Sequence, residues 1–282
     1  MRKFLLELEL TNHCNARCIM CPVVDMKRKK GFMTRETFDT NIQKGLHYGI
    51  QHIRFCGLGE PLAHKDFPQF LSYAKKHNLI AELITNGSLL RKEIVQCLIR
   101  TNIDILWISF PSLTKKNYES IMKGLVFERV LENALFAIHQ LKMASPTFIK
   151  VSSLITGINH EEKERIRHFW IAEGVDEVEL HSAHNRGGHL KDLGPLNLPS
   201  PPQDTADPGS RISLCPWPLR QFFIGWDGSV FLCCCDLEGE YNLGNVHRDD
   251  FGDMERTQES VMISQPDLCR RCTYQTAARI ST

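Results

Sequence analysis

Apolar and polar positions along the 282-residue chain change period repeatedly. Residues 4–10 read F-L-L-E-L-E-L, a partial alternation that predicts a strand. Short apolar runs of strand length follow at 53–55, 80–85, 103–110, 147–154 and 175–180. Between them, helical spacing of apolar residues predicts helices near 34–48, 66–77, 89–100, 115–122, 126–142 and 160–172. The run at 80–85 stops at Asn86-Gly87, a turn pair. Strands alternating with helices imply a parallel sheet built of right-handed βαβ units. Six such units over about residues 4–190 are fewer than the eight of a closed barrel. The expected fold is therefore α/β, a partial (βα)6 TIM-like barrel, open, with function at the C-terminal ends of its strands.

The pattern then breaks. Residues 196–210 read L-N-L-P-S-P-P-Q-D-T-A-D-P-G-S, a proline-rich linker rather than a packed element. Beyond it, 222–226 and 230–234 flank Asp227-Gly228 and predict a β-hairpin. The division expected is a barrel over 1–195, the linker over 196–210 and a small C-terminal hairpin/helix domain over 211–282.

Composition narrows the function. Net charge is +1, from 34 Lys and Arg against 33 Asp and Glu, so no global field favours nucleic acid or an acidic membrane. No apolar run approaches the roughly 20 residues of a membrane span. Residues 1–10 are short for a signal peptide, and Glu7 and Glu9 interrupt its apolar core. The expected location is the cytoplasm. There, 11 clustered cysteines point to metal or catalysis rather than to disulfides. Cys56 and Cys97 stand alone; the other nine form two groups, Cys14, Cys18 and Cys21 near one end, and Cys215, Cys233, Cys234, Cys235, Cys269 and Cys272 near the other.

Three thiols within eight residues, at a strand end, can hold three corners of an iron–sulfur cube and leave the fourth iron open. Structural zinc, which takes four ligands, is the competing reading, with His13 as the candidate fourth. The C-x3-C-x2-C spacing resembles the radical S-adenosylmethionine (SAM) superfamily, and four further signatures occur in the family's order. Gly57-Leu58-Gly59-Glu60-Pro61 resembles its G-G-E-P motif, which binds the SAM amino group, with Leu58 and Gly59 a small departure. Thr85-Asn86-Gly87 matches its T-N-G turn. Ile108-Ser109-Phe110 matches the strand whose serine contacts SAM, and Met20 the apolar position against adenine. The resemblance spans residues 4–190. It implies that Cys14, Cys18 and Cys21 hold a 4Fe–4S cluster that chelates SAM and cleaves it to a 5′-deoxyadenosyl radical. Candidate cofactor contacts are Met20, Gly57, Gly59, Glu60, Pro61, Asn86, Ser109, Ser152 and His181. The two glycines are expected to let backbone approach the ligand, and Glu60 to fix its loop.

In the second group, C-x12-G-x4-C from Cys215 through Gly228 to Cys233, with Cys269-x2-Cys272, resembles the SPASM extension in its truncated, twitch form. No cysteine follows Cys272, so the resemblance implies one auxiliary 4Fe–4S cluster, on Cys215, Cys233, Cys269 and Cys272. Cys235 is the reserve; strand alternation would turn Cys234 away. A four-cysteine zinc knuckle is the alternative.

Other residues have plainer readings. Cys56 and Cys97 read as small buried hydrophobes, and His64 and His77 as surface. Lys27 to Lys30 reads as a solvated loop or a dock for an acidic electron donor. Arg54 points into the barrel or into an outside salt bridge, and only one of Ser152 and Ser153 can face inward. The segment His181-Ser-Ala-His184-Asn-Arg186-Gly-Gly188 reads as a contact for substrate or SAM, or as a structural turn.

The expectation is thus a radical SAM enzyme with two 4Fe–4S clusters and SAM, fed by a reductant such as flavodoxin or ferredoxin. The auxiliary cluster serves electron transfer in a dehydrogenase-like oxidation of a small sugar-like metabolite. The first strand begins near Phe4, with no leader-recognition domain before it, which favours that substrate over a peptide. A peptide-modifying maturase is the alternative, and a non-catalytic zinc scaffold the remote one.

Overall fold

The computed structural model describes residues 4–190, 194–196, 215 and 217–273. Six parallel strands come first: β1 (Leu5–Leu8), β2 (His52–Phe55), β3 (Ile80–Thr85), β4 (Ile105–Ser109), β5 (Phe148–Ile155) and β6 (Glu177–Ser182). Helices α1 (Arg35–Tyr48), α2 (Phe67–Lys76), α3 (Lys92–Thr101), α4 (Lys115–Ile121), α5 (Phe127–Ala144) and α6 (Lys163–Ala172) connect them. The expected α/β order is present, with small boundary shifts. The β6 shift matters, because it places His181 on the strand rather than after it.

Strand alternation divides the sheet into two chemical faces. Leu6, Leu8, Ile53, Phe55, Ala81, Leu83, Leu106, Ile108, Ile149 and Val151 are fully buried in the core beneath the helices. Each such side chain contributes about 1.5–3 kcal/mol of burial. The intervening positions carry the sheet's charged residues. Glu7, Arg54 and Glu82 lie in register on β1, β2 and β3. Arg54 Nε donates to Glu82 at 2.9 Å, and Gln221 Nε2 to Glu7 at 2.8 Å. Lys150 pairs with Glu177 and Glu179 at 2.9 and 3.0 Å and sits over the Trp107 ring. Arg54 thus takes the inward course, paired across strands.

α1 shows how sequence sets an element. Thr34 caps it by accepting from the Thr37 N–H at 3.1 Å, Phe38 and Ile42 supply its buried face, and Gly49 ends it at φ 101°.

The C-terminal part adds α7 (Trp217–Arg220), β7 (Gln221–Ile224), β8 (Ser229–Phe231), β9 (Asn242–Asn245), α8 (Phe251–Ile263) and α9 (Asp267–Arg271). The hairpin is there but shorter than expected, since β8 ends before Cys233. β7 also pairs in parallel with β1, so one nine-stranded sheet runs β6-β5-β4-β3-β2-β1-β7-β8-β9. Most of the proline-rich 196–210 stretch lies outside the described residues.

Candidate cluster and cofactor site

The first cysteine group sits in a long excursion after β1. A bridge between Thr11 and Phe32 closes the excursion, and Met33 N–H donates to Leu10 O at 2.7 Å. Within it, Cys21 N–H donates to Cys18 O, Ile19 N–H to Ile121 O at the end of α4, and Arg17 N–H to Lys123 O just beyond it. Three half-buried free thiols are thereby fixed in one loop. Burial, with the neighbouring thiols, pushes Cys14 up to about 11 and Cys18 higher still. His13, the candidate fourth zinc ligand, instead stacks on Phe32 at 4.8 Å between ring centroids. Three cysteines without that histidine suit a cube with one open corner.

The Gly57 loop packs beneath this one. A Cβ on Gly59 would lie 2.2 Å from Thr11 O and 2.5 Å from His13 O, and Gly57 has φ +136°. Gly59 therefore admits the backbone of the cysteine loop, and Gly57 admits Glu9. Glu60 N–H donates to His13 O at 2.9 Å. The Glu60 carboxylate is buried and accepts from Thr85 Oγ1 at 2.7 Å, Asn86 N–H at 2.9 Å and Leu62 N–H at 3.2 Å. Burial raises its pKa against the pull of these donors. Pro61 opens the buried turn Pro61–Ala63. Asn86 Nδ2 donates to Asn15 Oδ1 at 3.0 Å, which latches the β3 turn to the residue after Cys14.

Four of the sequence candidates meet in one cavity. Met20, Ser109, Ser152 and His181 line it, together with Pro111, Leu154, Ala183, His184 and Arg186. Ser153 turns away and donates to Phe110 O at 2.6 Å. His184 Nδ1 accepts from Arg186 N–H at 3.2 Å. Burial and the charges of Arg186 and His181 hold His184 down to about 2, so it is neutral. Gly57, Gly59, Glu60 and Pro61 do not line this cavity; they form the floor under the cysteine loop.

The second group converges as well. Cys215, Cys233, Cys234, Cys235, Cys269 and Cys272 line one pocket with Trp217, Pro218 and Leu268. Burial, then the nearby Cys233, Cys215 and Cys272 thiols, pushes Cys269 up to about 12. Those are the four cysteines singled out by spacing. Residues 233–235 form a turn, with Asp236 N–H donating to Cys233 O at 3.0 Å, so strand alternation does not govern them. All three cysteines of the run reach the pocket, Cys234 included.

Several minor expectations are corrected. His64 is buried, its Nε2 2.9 Å from Met33 O and its ring against Phe70. Cys97 belongs to the core, but Cys56 lies within electrostatic reach of Glu7, Arg54 and Cys234 rather than in an apolar pocket. The basic run is neither simply solvated nor simply a dock. Arg28 pairs with fully buried Glu9 at 2.8 Å, donates to Leu237 O and lies over Phe231, while Lys27, Lys29 and Lys30 are exposed.

An open, mostly parallel α/β sheet with a three-cysteine loop at its first strand end, and a second pocket lined by six cysteines, suits an iron–sulfur protein with a cofactor cavity. Residues 8–169 match the Radical SAM superfamily, and residues 215–273 match an iron-sulfur cluster-binding domain, SPASM. The chain belongs to the radical SAM superfamily, and its cofactors are SAM and 4Fe–4S clusters.

Among curated relatives, it is 31% identical to the PqqA peptide cyclase of Gluconobacter oxydans (strain 621H) over 41% of this chain and 33% of that one. It is 25% identical to the probable GTP 3′,8-cyclase of Sulfurisphaera tokodaii over 64% of this chain and 56% of that one. The matches thus span a third to little over half of those relatives' length. In fold, it resembles BtrN in complex with AdoMet and 2-DOIA, at TM-score 0.64 and 18% identity over 98% of both chains. It also resembles Streptococcus suis SuiB bound to precursor peptide SuiA, at TM-score 0.72 and 15% identity over 90% of this chain and 64% of that one.

Proposed function

We propose that this radical SAM enzyme oxidises a small polar metabolite, with Cys14, Cys18 and Cys21 holding the SAM-binding cluster and Cys215, Cys233, Cys269 and Cys272 an auxiliary one. When bound, the first cluster and SAM supply hydrogen abstraction from an unactivated carbon, and the second supplies an electron acceptor. The chain's residues bind and orient. Met20, Ser109, Ser152 and His181 shape the SAM cavity, Glu60 and Asn86 hold the cysteine loop in place, and the walls exclude water.

The observation that carries this reading is the loop after β6. Its residues 183, 184 and 186 line the SAM cavity. The same loop packs on α9, which carries Cys269: Arg271 Nε donates to Gly187 O at 2.6 Å. A substrate in that cavity lies against the loop that packs on the segment carrying Cys269 and Cys272. The polar lining suits an alcohol-bearing metabolite, and the likeness to BtrN, which covers nearly all of both chains, supports a compact enzyme of this kind. A peptide substrate is the second reading, favoured by the PqqA peptide cyclase and SuiB likenesses. An acidic reductant such as flavodoxin or ferredoxin completes the system, and a cytoplasmic location suits its chemistry.

The test is anaerobic reconstitution with an iron count and a 5′-deoxyadenosine assay using SAM and dithionite. Wild type is expected to hold about eight irons and the Cys14/Cys18/Cys21→Ala variant about half, with deoxyadenosine from wild type alone. Sugar alcohols and candidate precursor peptides are then compared for substrate-dependent deoxyadenosine. Zinc without deoxyadenosine overturns the reading, and turnover of peptides alone replaces the metabolite by the second reading.

A further inference from the structure

Arg186 is a cavity-lining cation that the family motifs do not account for. Its side chain lines the SAM cavity with Met20, Ser109, Ser152 and His181. The thiols of Cys235, Cys21, Cys234 and Cys56 are all near enough to act on its charge. Among the described residues it forms no ion pair with a carboxylate, unlike Arg28 and Arg54, the other interior arginines described above. A half-buried arginine that lines a cavity and pairs with no carboxylate among the described residues can offer its guanidinium to an anion.

The backbone shows that this placement is enforced. Arg186 has φ +49°, and Gly187 and Gly188 follow at +65° and +83°. A left-handed arginine is strained and persists only where its surroundings hold it. Here they do. Asn185 Nδ2 donates to Arg271 O at 2.7 Å, its N–H donates to Thr273 Oγ1 at 2.9 Å, and its Oδ1 accepts from Thr273 N–H at 3.0 Å. A Cβ on Gly187 would lie 2.6 Å from Leu268. The segment carrying Cys269 and Cys272 therefore sets the arginine.

We propose that Arg186 anchors an oxyanion of the substrate, a carboxylate or phosphate on a small metabolite, and so places the carbon to be oxidised between the two cysteine groups. This rests on the radical SAM oxidation proposed above. Two groups can present such an oxyanion: the substrate, and the carboxylate of SAM itself.

The test uses the full chain, reconstituted anaerobically and saturated with SAM. Binding of inorganic phosphate and of malonate is measured by calorimetry at constant ionic strength for wild type, R186Q and R186K; SAM affinity is measured alongside. Saturable binding to wild type is expected, weakened about tenfold or more in R186Q and less in R186K, which keeps charge but not the bidentate fork. The loss of anion affinity is expected to exceed any loss of SAM affinity, since Arg186 is one of nine residues lining the cavity. Anion binding that is absent from wild type, or unchanged in R186Q, overturns the proposal. A tenfold loss of SAM affinity in R186Q also overturns it and assigns the guanidinium to the SAM carboxylate. Should R186Q lose iron, wild type decides: phosphate or malonate slows phenylglyoxal modification of Arg186, read by peptide mass spectrometry, or the proposal fails. Failure of the underlying reading shows separately, as wild type that binds phosphate through Arg186 but makes no 5′-deoxyadenosine.

Discussion

At the scale of single residues, the site depends on side chains that hold its loops in place. Glu60 satisfies a hydroxyl and two amides that are otherwise buried without acceptors. Glu60→Ala is expected to cost about 2–4 kcal/mol, since each orphaned buried donor costs about 1–3. Urea denaturation measures this, and a smaller loss than about 1 kcal/mol would show that water replaces the carboxylate. Glu162 gives a pH signature. Burial pushes its pKa up, but donors from Asn117 at 2.6 Å, Arg165 at 2.7 Å, Ser112 at 2.8 Å and the Leu113 N–H at 2.9 Å hold it below its ordinary 4.5. A depressed carboxyl stabilises above its unfolded pKa and loses that contribution as pH falls through the folded value. Glu162→Gln is therefore expected to flatten the stability profile below about pH 4.5, checked by urea midpoints at pH 6, 5 and 4.

At the scale of elements, two loops are built as one piece. The Gly59 contacts are backbone oxygens, which cannot swing aside as a flexible side chain would. Gly59→Ala is expected to displace the cysteine loop, with iron falling to about half of wild type and the auxiliary site kept. Full iron in that variant would mean that the loop rides over the added methyl. For the second group, Cys233→Ser and Cys269→Ser are expected to lose the auxiliary irons, while Cys235→Ser keeps them. Loss in Cys235→Ser with retention in Cys233→Ser would exchange the two roles.

These elements also show what the sequence made legible. The C-x3-C-x2-C loop, the Asn86-Gly87 turn and the alternating apolar strands are local patterns, and local geometry follows from them. The turn at 233–235 escaped because its cause lies downstream. Asp236 accepts from Glu240 N–H at 2.7 Å and Tyr241 N–H at 3.1 Å, and this reverses the chain where β-rich residues alone predict a longer strand. The burial of His64 and the pairing of Arg28 with Glu9 escaped for a similar reason. Each depends on partners brought close only by the folded chain, Met33 for the histidine and the end of β1 for the arginine. Glycine at 57 and 59 marks close approach, and within the chain the groups that approach are Glu9 at 57 and the Thr11 and His13 backbone at 59.

At the scale of the whole molecule, the two cysteine regions are joined by charge and by sheet. Arg28 connects the first cysteine loop to Glu9, to Leu237 O and, through its own N–H, to the Glu238 carboxylate at 2.9 Å. Arg28→Ala strands a fully buried carboxylate and is expected to cost about 3–5 kcal/mol, measured by chemical denaturation. Arg28→Ala with Glu9→Gln should recover part of that loss, and no recovery would mean that the stem of Arg28 over Phe231 matters more than its charge.

The parallel pairing of β1 with β7 bears on how the chain is made. β1 is synthesised well before β7, its neighbour on one side, which lies more than two hundred residues downstream. Until β7 is translated, β1 keeps an open row of amides and carbonyls, an edge that other nascent chains can join. A truncation before residue 217 should therefore yield aggregates rather than a lesser enzyme, and production in the cell should depend on chaperones that shield that edge until synthesis is complete.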